Sequence, residues 1–323
     1  MPANLTPDFM AADKKFKAAT TPQEKLAALE EMLATIPKHK GTEKMQADIK
    51  RRLAKLRNET QRRRGASRGK PFYLVDKEGA GQIALVGAPN TGKSSLLAAL
   101  TNAEPDVADY PFTTRVPLPG MMAFENVQIQ LVDLPPITPE FSEGWLYAII
   151  RTANAALLVI DLGADDLLEQ TEGVLALLAR ANIHLVAEPQ EPQQKRTLVV
   201  ANKLDAPGAA DRLALFREFI GDRQPVLPVS AEAETGLEGL REATFRLLGV
   251  IRVYSKSPGK KADMSAPFIL RRGSTVLDAA EAVHKDFVEK LRFARLWGRQ
   301  GYQGQMVGRD HVLEDGDVIE IHA

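Results

Sequence analysis

The octapeptide Gly87-Ala88-Pro89-Asn90-Thr91-Gly92-Lys93-Ser94 constrains this chain more than any other stretch, because it has the spacing G-x-x-x-x-G-K-S. The strand-like run Gln82-Ile-Ala-Leu-Val precedes it, and the helical run Ser94-Ser95-Leu-Leu-Ala-Ala-Leu follows. Gly87 and Gly92 permit the sharp turn that aims backbone N–H groups at a phosphate chain, and the following helix adds the positive end of its dipole. Lys93 is placed to reach β- and γ-phosphates, and the Ser94 hydroxyl to ligate Mg²⁺. Residues Gly87 to Ser95 are thus the candidate cradle. A chance glycine-rich turn is the competing reading, and it does not account for a strand before the loop and a helix after it.

A phosphate loop does not choose a base, so the rest of the pocket has to be found. Val127-Gln-Ile-Gln-Leu-Val-Asp133 reads as a strand whose final carboxylate suits a water-mediated Mg²⁺ contact. Arg196-Thr-Leu-Val-Val-Ala-Asn202-Lys203-Leu-Asp205 is a second buried strand, delivering NKLD at its end. A carboxylate at Asp205 can accept from guanine N1–H and the exocyclic amine together, a donor pair that adenine lacks. Asn202 is expected at the base edge, with the Lys203 stem against the ring plane. Pro225-Val-Leu-Pro-Val-Ser230-Ala231 ends on two backbone N–H groups suited to guanine O6. All these segments end at the carboxyl edge of successive strands, where open α/β sheets bind ligands. NKLD alone is a weak pattern; between a phosphate loop and VSA it is a strong one.

Between Ser94 and Asp133 lies Ala108-Asp-Tyr-Pro-Phe-Thr113-Thr114-Arg-Val-Pro. With the phosphate loop and NKLD, this segment resembles the switch of an Obg-type GTPase. Arg151-Thr-Ala-Asn-Ala-Ala-Leu-Leu-Val-Ile-Asp resembles the developmentally regulated GTP-binding protein (DRG) branch. So do Ile251-Arg-Val-Tyr-Ser-Lys, Ile269-Leu-Arg-Arg-Gly-Ser-Thr-Val and Ala294-Arg-Leu-Trp-Gly, whose closing Asp315-Gly-Asp-Val-Ile-Glu-Ile is similar to the end of a TGS domain. The resemblance implies that Thr114 closes on Mg²⁺ when GTP is bound, with Thr113 the alternative. It also implies that Lys93, Thr114 and Asp133 carry catalysis. Asn90 resembles a loop asparagine that helps hold K⁺ in some such GTPases; it also favours a turn in its own right.

Two departures matter. The family pattern after the strand-end aspartate is D-x-x-G, whose glycine N–H contacts the γ-phosphate, whereas this chain reads Asp133-Leu134-Pro135-Pro136. Pro136 has no N–H to donate. Where Ras-like enzymes carry a water-orienting glutamine, this chain has Ile137. Slow hydrolysis is the expectation, and a nucleotide-binding scaffold with a degenerate G domain is the alternative.

At 323 residues and 44% hydrophobic, the chain can bury a core in two or three domains. It has no cysteine, which removes disulfides and thiolate metal sites, and its five histidines lack metal-ligand spacing. No run approaches the roughly 18 apolar residues of a membrane span. The N-terminus MPANLTPDF has no secretory pattern, so a cytoplasmic location without membrane contact is expected. Net charge is zero, yet from Lys38 to Lys70 there are 13 Lys/Arg against Glu43, Asp48 and Glu59. That basic run is either a solvated face or a contact to RNA phosphates. It lacks aromatic residues for base stacking.

Three domains are expected, at 1–78, 79–249 and 250–323. The first reads as a basic helical hairpin. Thr21-Pro22-Gln23-Glu24 caps one helix, with Leu26, Leu29, Leu33 and Ile36 at helical spacing. Thr42 opens a second helix bearing Met45, Ile49, Leu53 and Leu56, and Arg62 to Lys70 form a linker. The second is an α/β P-loop GTPase domain with a mostly parallel sheet covered on both faces. The third alternates as strands around one helix, capped by Ser274. That order fits the β-grasp module the TGS resemblance implies. Such a module has no catalytic constellation, so docking of a protein or RNA partner is its expected role.

The functional expectation is a GTP/GDP-dependent switch with slow GTP hydrolysis, associated with the ribosome or structured RNA. An ATPase relative with relaxed base selectivity remains the other alternative, against which Asn202, Lys203 and Asp205 speak.

Overall fold

The computed structural model describes residues 9, 12, 14–16, 22–36, 45, 49, 73–103, 116–139, 142–298, 301 and 303–322. They fall into two compact units, 1–72 and 73–323. In the first, α1 (Pro22–Thr35) starts at the proline the capping pattern indicates. Leu29, Met32 and Ile36 bury against Phe9, Ala12 and Ile49. Residues 9, 12 and 14–16 are also helical, beyond the two helices expected of this region. The expected Thr42 cap, Leu53, Leu56 and the 62–70 linker lie outside the described residues.

The second unit holds two sheets. Its first elements are β1 (Gln82–Val86), α2 (Lys93–Leu100), β2 (Leu118–Phe124), β3 (Val127–Asp133), α3 (Gly144–Thr152) and β4 (Ala155–Asp161). Then come α4 (Leu167–Arg180), β5 (His184–Val186), β6 (Gln194–Asn202), α5 (Ala209–Ile220), β7 (Val226–Pro228) and α6 (Leu237–Leu248). These seven strands run β2-β3-β1-β4-β6-β5, with β7 also paired to β6, and every pair is parallel except β2 with β3. Period-two alternation divides the core. Ala156, Leu158 and Ile160 of β4 face α3, α4 and α5, while Ala155, Leu157 and Val159 face α2 and α6. The expected α/β fold with a mostly parallel, doubly covered sheet is what the chain adopts. β2 is an edge strand, which lets it carry Pro119 and Gly120.

The remaining elements are β8 (Val250–Ser255), β9 (Phe268–Arg271), α7 (Val276–Val283), α8 (Lys285–Lys290), β10 (Phe293–Trp297), β11 (Gln303–Val307) and β12 (Asp317–His322). The sheet order is β11-β10-β12-β8-β9, with β8 and β12 parallel at the centre. Ile251, Val253, Ala294, Leu296 and Ile319 bury against Val276, Ala279 and Ala280 of α7. The cap of α7 is Thr275, not Ser274: Thr275 and Asp278 bond reciprocally as a capping box, while the Ser274 N–H donates to the Arg271 carbonyl in the preceding turn.

The two sheets are joined tightly. α6 ends at Gly249 (φ 64°) and β8 begins at the next residue. The turn between β2 and β3 is Glu125-Asn126, with Glu125 at φ 48°. Both residues hold the second sheet. Arg252 of β8, 6% exposed at its side chain, is ion-paired to Glu125 and, at 2.6 Å, to Asp315. Its guanidinium lies 4.9 Å from the Phe245 ring centre. Asn126 Nδ2 donates to the Tyr254 hydroxyl at 2.6 Å and to the Met264 carbonyl at 2.9 Å.

Candidate nucleotide site

The phosphate loop connects β1 to α2. At Gly87, a Cβ would come within 2.4 Å of the Val159 carbonyl oxygen, so the loop lies against β4 as only glycine allows. Gly92 is the N-cap of α2, at φ 84°, and its missing side chain leaves the first-turn N–H groups without a side-chain acceptor. Asn90 is exposed and left-handed at φ 58°, a conformation asparagine tolerates better than most residues. Ala88 and Thr91 are buried, Pro89, Ser94 and Ser95 half-buried.

Lys93 is 6% exposed and folded along the loop, its Nζ donating to the carbonyls of Ala88 at 2.7 Å and Gly87 at 3.3 Å. Burial pushes its pKa down to about 8, against the opposing pull of Asp133. Asp133, fully buried at the end of β3, accepts from the Ser94 hydroxyl at 2.5 Å. The two groups expected at Mg²⁺ are therefore in contact. Beyond them, Leu134, Pro135, Pro136 and Ile137 are all buried. The Ile137 side chain packs into the core with Val132, Leu146 and Ile150, and its N–H donates to the Gly87 carbonyl at 3.2 Å. Thr113 and Thr114 lie outside the described residues.

At the other end of the pocket, β6 delivers NKLD. Asn202 is 2% exposed and both ends of its amide are engaged: Nδ2 donates to the Thr91 carbonyl, and Oδ1 accepts from the Ala231 N–H, each at 3.0 Å. Asn202 thus braces the phosphate loop against the Ser230–Ala231 loop. The Ala231 N–H is engaged by Asn202, and the Ser230 N–H pairs with the Thr235 carbonyl at 3.0 Å. The Ser230 hydroxyl donates to Asp205 Oδ1 and accepts from the Ala233 N–H at 2.9 Å. That bond orients the Asp205 carboxylate.

Lys203, at φ 62°, is paired with Asp161 of β4 at 2.7 Å. Asp161 Oδ1 also accepts from the Gly163 N–H at 2.7 Å. The sequence reading missed Asp161. Its only signal was that it ends the apolar run through Ile160, at the same carboxyl edge as Asp133 and Asn202. Among the described residues there is no cluster of His, Cys, Asp and Glu able to hold a metal on its own, and no helix long and apolar enough to cross a membrane.

Comparison with known proteins agrees with this geometry. A family described as 50S ribosome-binding GTPase matches residues 82–203, and the TGS domain family matches residues 251–323. An uncharacterized GTP-binding protein of Methanocaldococcus jannaschii is 32% identical, over 93% of this chain and 92% of its own length. Developmentally-regulated GTP-binding protein 1 of Xenopus laevis is 28% identical over 92% of this chain and 98% of its own. Ribosome-interacting GTPase 1 of Saccharomyces cerevisiae is 26% identical over 94% and 99%. In fold, the chain is similar to the YchF GTPase of Schizosaccharomyces pombe, with a TM-score of 0.56 and 12% identity, covering 78% of this chain and all of that one.

Proposed function

This chain belongs to the developmentally regulated GTP-binding protein family, P-loop GTPases ending in a TGS domain, and on that premise we propose that it is a slow, guanine-selective GTPase switch serving the ribosome or structured RNA. The observation that carries the reading is the convergence of Lys93, the Ser94–Asp133 pair and the Ser230-held Asp205 on one sheet edge, tied together by Asn202. The α2 N-terminus and Lys93 hold the β- and γ-phosphates, and Asp205 takes the guanine N1–H and amine. The Ser94–Asp133 contact fits Mg²⁺: Ser94 and Asp133 would hold the ion, joined by Thr114 as the family resemblance implies. Bound there, Mg²⁺ would supply positive charge toward the transferring phosphate.

Turnover is slow because the two usual aids to hydrolysis are missing. Ile137 is in the core, and Pro136 has no N–H for the γ-phosphate. Asn90 would help hold K⁺, which would supply part of the missing charge. The yeast relative's name and the basic run 38–70 support a ribosomal or RNA partner and, with it, a cytoplasmic location. Residues 1–78, 79–249 and 250–323 act as leader, G domain and docking domain. Pro136 specifically favours a second reading, a nucleotide-gated scaffold with negligible turnover.

Phosphate release with GTP and ATP, in K⁺ and Na⁺, with and without ribosomes, tests the proposal. Slow GTP-specific release, faster in K⁺ and with ribosomes, is expected. Equal turnover of ATP and GTP would end the guanine assignment; tight GTP binding with no release in any condition would favour the scaffold.

A further inference from the structure

A groove of about 910 Å³ lies at the opposite edge of the large sheet from the nucleotide site, where β6, β7 and α6 meet the end of β9. Four arginines line it, two from each sheet's side of the joint: Arg196 and Arg246, then Arg271 and Arg272. The only carboxylates on its lining are Glu188 and Glu242. This accumulation runs against the charge of the unit that carries it. Residues 1–72 contain 17 Lys/Arg and 8 Asp/Glu, so in a chain of net charge zero residues 73–323 are net −9.

The groove's arginines differ in what they hold. Arg196 pairs with Glu188 at 2.7 Å and Arg246 with Glu242 at 2.5 Å, both at the surface. The buried Nε–H of Arg196 has no acceptor among the described residues. Arg271 and Arg272 are exposed and have no acidic partner among the described residues. The wall they form is fixed in place, because the Arg272 N–H donates to the Gly249 carbonyl at 2.8 Å and Arg252 locks the joint. Lys77 extends the basic rim through Asn154, which lines the groove. Among the described residues no aromatic side chain lines it, so they offer bases no stacking platform. Guanidinium forks on a rigid wall suit phosphate oxygens bidentately.

We propose that this groove is an RNA-binding surface that takes the phosphate backbone through Arg246, Arg271 and Arg272, independently of base sequence. The proposal rests on the RNA-partner reading above and adds a site to it that is separate from the basic leader. Recognition through backbone alone makes binding salt-sensitive and similar for unrelated RNAs.

The test uses the full-length protein and a labelled RNA hairpin, titrated by anisotropy at several KCl concentrations, with polyglutamate as a second polyanion. Three proteins are compared: wild type, the triple variant Arg246→Ala/Arg271→Ala/Arg272→Ala, and the same three positions changed to Lys. The Ala variant should lose about tenfold or more in hairpin affinity, and its log-affinity versus log-salt slope should shrink by roughly two to three. GTP affinity, read at the other edge of the sheet, should not change. The Lys variant keeps the charge and should keep most of the slope. Hairpin binding that is intact in the Ala variant overturns the groove and leaves the leader as the RNA contact. Absence of hairpin binding by the wild type overturns the groove and the RNA reading together. Polyglutamate binding as tight as hairpin binding, lost equally in the Ala variant, overturns RNA as the occupant in favour of an acidic protein.

Discussion

The Lys203 ammonium at the end of β6 is ion-paired with Asp161 at the end of β4, Nζ to Oδ2 2.7 Å. The pair links two adjacent parallel strands at the edge where NKLD presents its side chains. A lysine stem that must lie flat against a base ring gains from having its head fixed. Asp161, 11% exposed at its side chain, does that, while the Gly163 N–H fixes Asp161 in turn. Under the proposed contact of Lys203 with the base, Asp161 is a positioning residue for it. Asp161→Ala should weaken GTP and GDP equally, by about 1 kcal/mol or roughly fivefold, since Lys203 is itself 39% exposed. Phosphate release per bound GTP should not change. Equilibrium binding of both nucleotides with single-turnover rates checks this, and Asp161→Asn should recover part of the affinity.

In the proposed function, base choice rests on Asp205. Its carboxylate is held by the Ser230 hydroxyl, so an amide at the same position keeps the fold of the loop while replacing one acceptor with a donor. Asp205→Asn should cost about 1.5–3 kcal/mol in GTP affinity, the usual loss for a charged hydrogen-bond partner. Xanthosine nucleotides, which offer an acceptor where guanine has an amine, should bind the variant better than the wild type. Competition titrations with GTP, XTP and ATP measure all three.

The phosphate loop was legible in the sequence because its constraints are local: two glycines, a lysine and a serine at fixed spacing between a strand and a helix. NKLD and the apolar run of β4 were legible for the same reason. Asn202 was not. Its position was plain, but its two hydrogen bonds go to Thr91 and Ala231, contacts that only the parallel sheet brings together. Asp161 was missed because a carboxylate ending an apolar run has no partner until β4 and β6 are paired. β11 (Gln303–Val307) was missed because an edge strand with Gln303 and Gln305 exposed lacks the apolar alternation that marks a strand. The α7 cap was misplaced by one residue, since only the reciprocal bond with Asp278 distinguishes Thr275 from Ser274.

Lys93 makes nucleotide affinity depend on pH. Burial lowers its pKa to about 8 in the nucleotide-free protein, and a phosphate beside it must raise that value. Binding therefore takes up a proton once pH passes about 8, and affinity should fall by up to tenfold per pH unit above that point. Below pH 7 it should be flat. The loss is not unfolding. A lysine whose folded pKa is below its unfolded value binds fewer protons folded, so its contribution to stability increases from pH 8 to 10.5. Calorimetry of GTP binding in two buffers of different ionisation enthalpy should show proton uptake at pH 8.5 and none at pH 6.5; equal heats at pH 8.5 would remove Lys93 as the titrating group.

A change at Pro136 tests γ-phosphate sensing separately from nucleotide binding. It is buried in the segment whose next residue, Ile137, donates its N–H to the Gly87 carbonyl at 3.2 Å, so the backbone already runs beside the phosphate loop. Pro136→Gly adds one N–H there, and GTP should gain on GDP by about 0.5–1.5 kcal/mol, the net value of one hydrogen bond. An unchanged GTP-to-GDP ratio would place the sensor elsewhere. In the same assays Asn90→Ala should remove any rate advantage of K⁺ over Na⁺, while leaving GDP affinity within about twofold, since the exposed Asn90 side chain contributes no packing.

Arg252 is the residue on which the joint between the two sheets depends. It touches Glu125 of the β2–β3 turn and Asp315 before β12, and it lies over Phe245 of α6. Both carboxylates hold its pKa above the ordinary arginine value, so it stays charged at every accessible pH. Arg252→Ala removes the cation and leaves Glu125 and Asp315 facing each other's side of the joint without it. Because Glu125 is 57% exposed, the cost should be nearer about 2 kcal/mol than the 3–5 typical of a fully buried pair. The chain has two tryptophans, Trp145 on α3 of the first sheet's domain and Trp297 on β10 of the second. Single-tryptophan versions made with Trp145→Phe or Trp297→Phe report each side by fluorescence. With Arg252 in place the two should melt together. In the Arg252→Ala background the Trp297 transition should move to lower temperature than the Trp145 transition; coincident melting in both backgrounds would show that the continuous α6–β8 connection at Gly249 couples the sheets without Arg252.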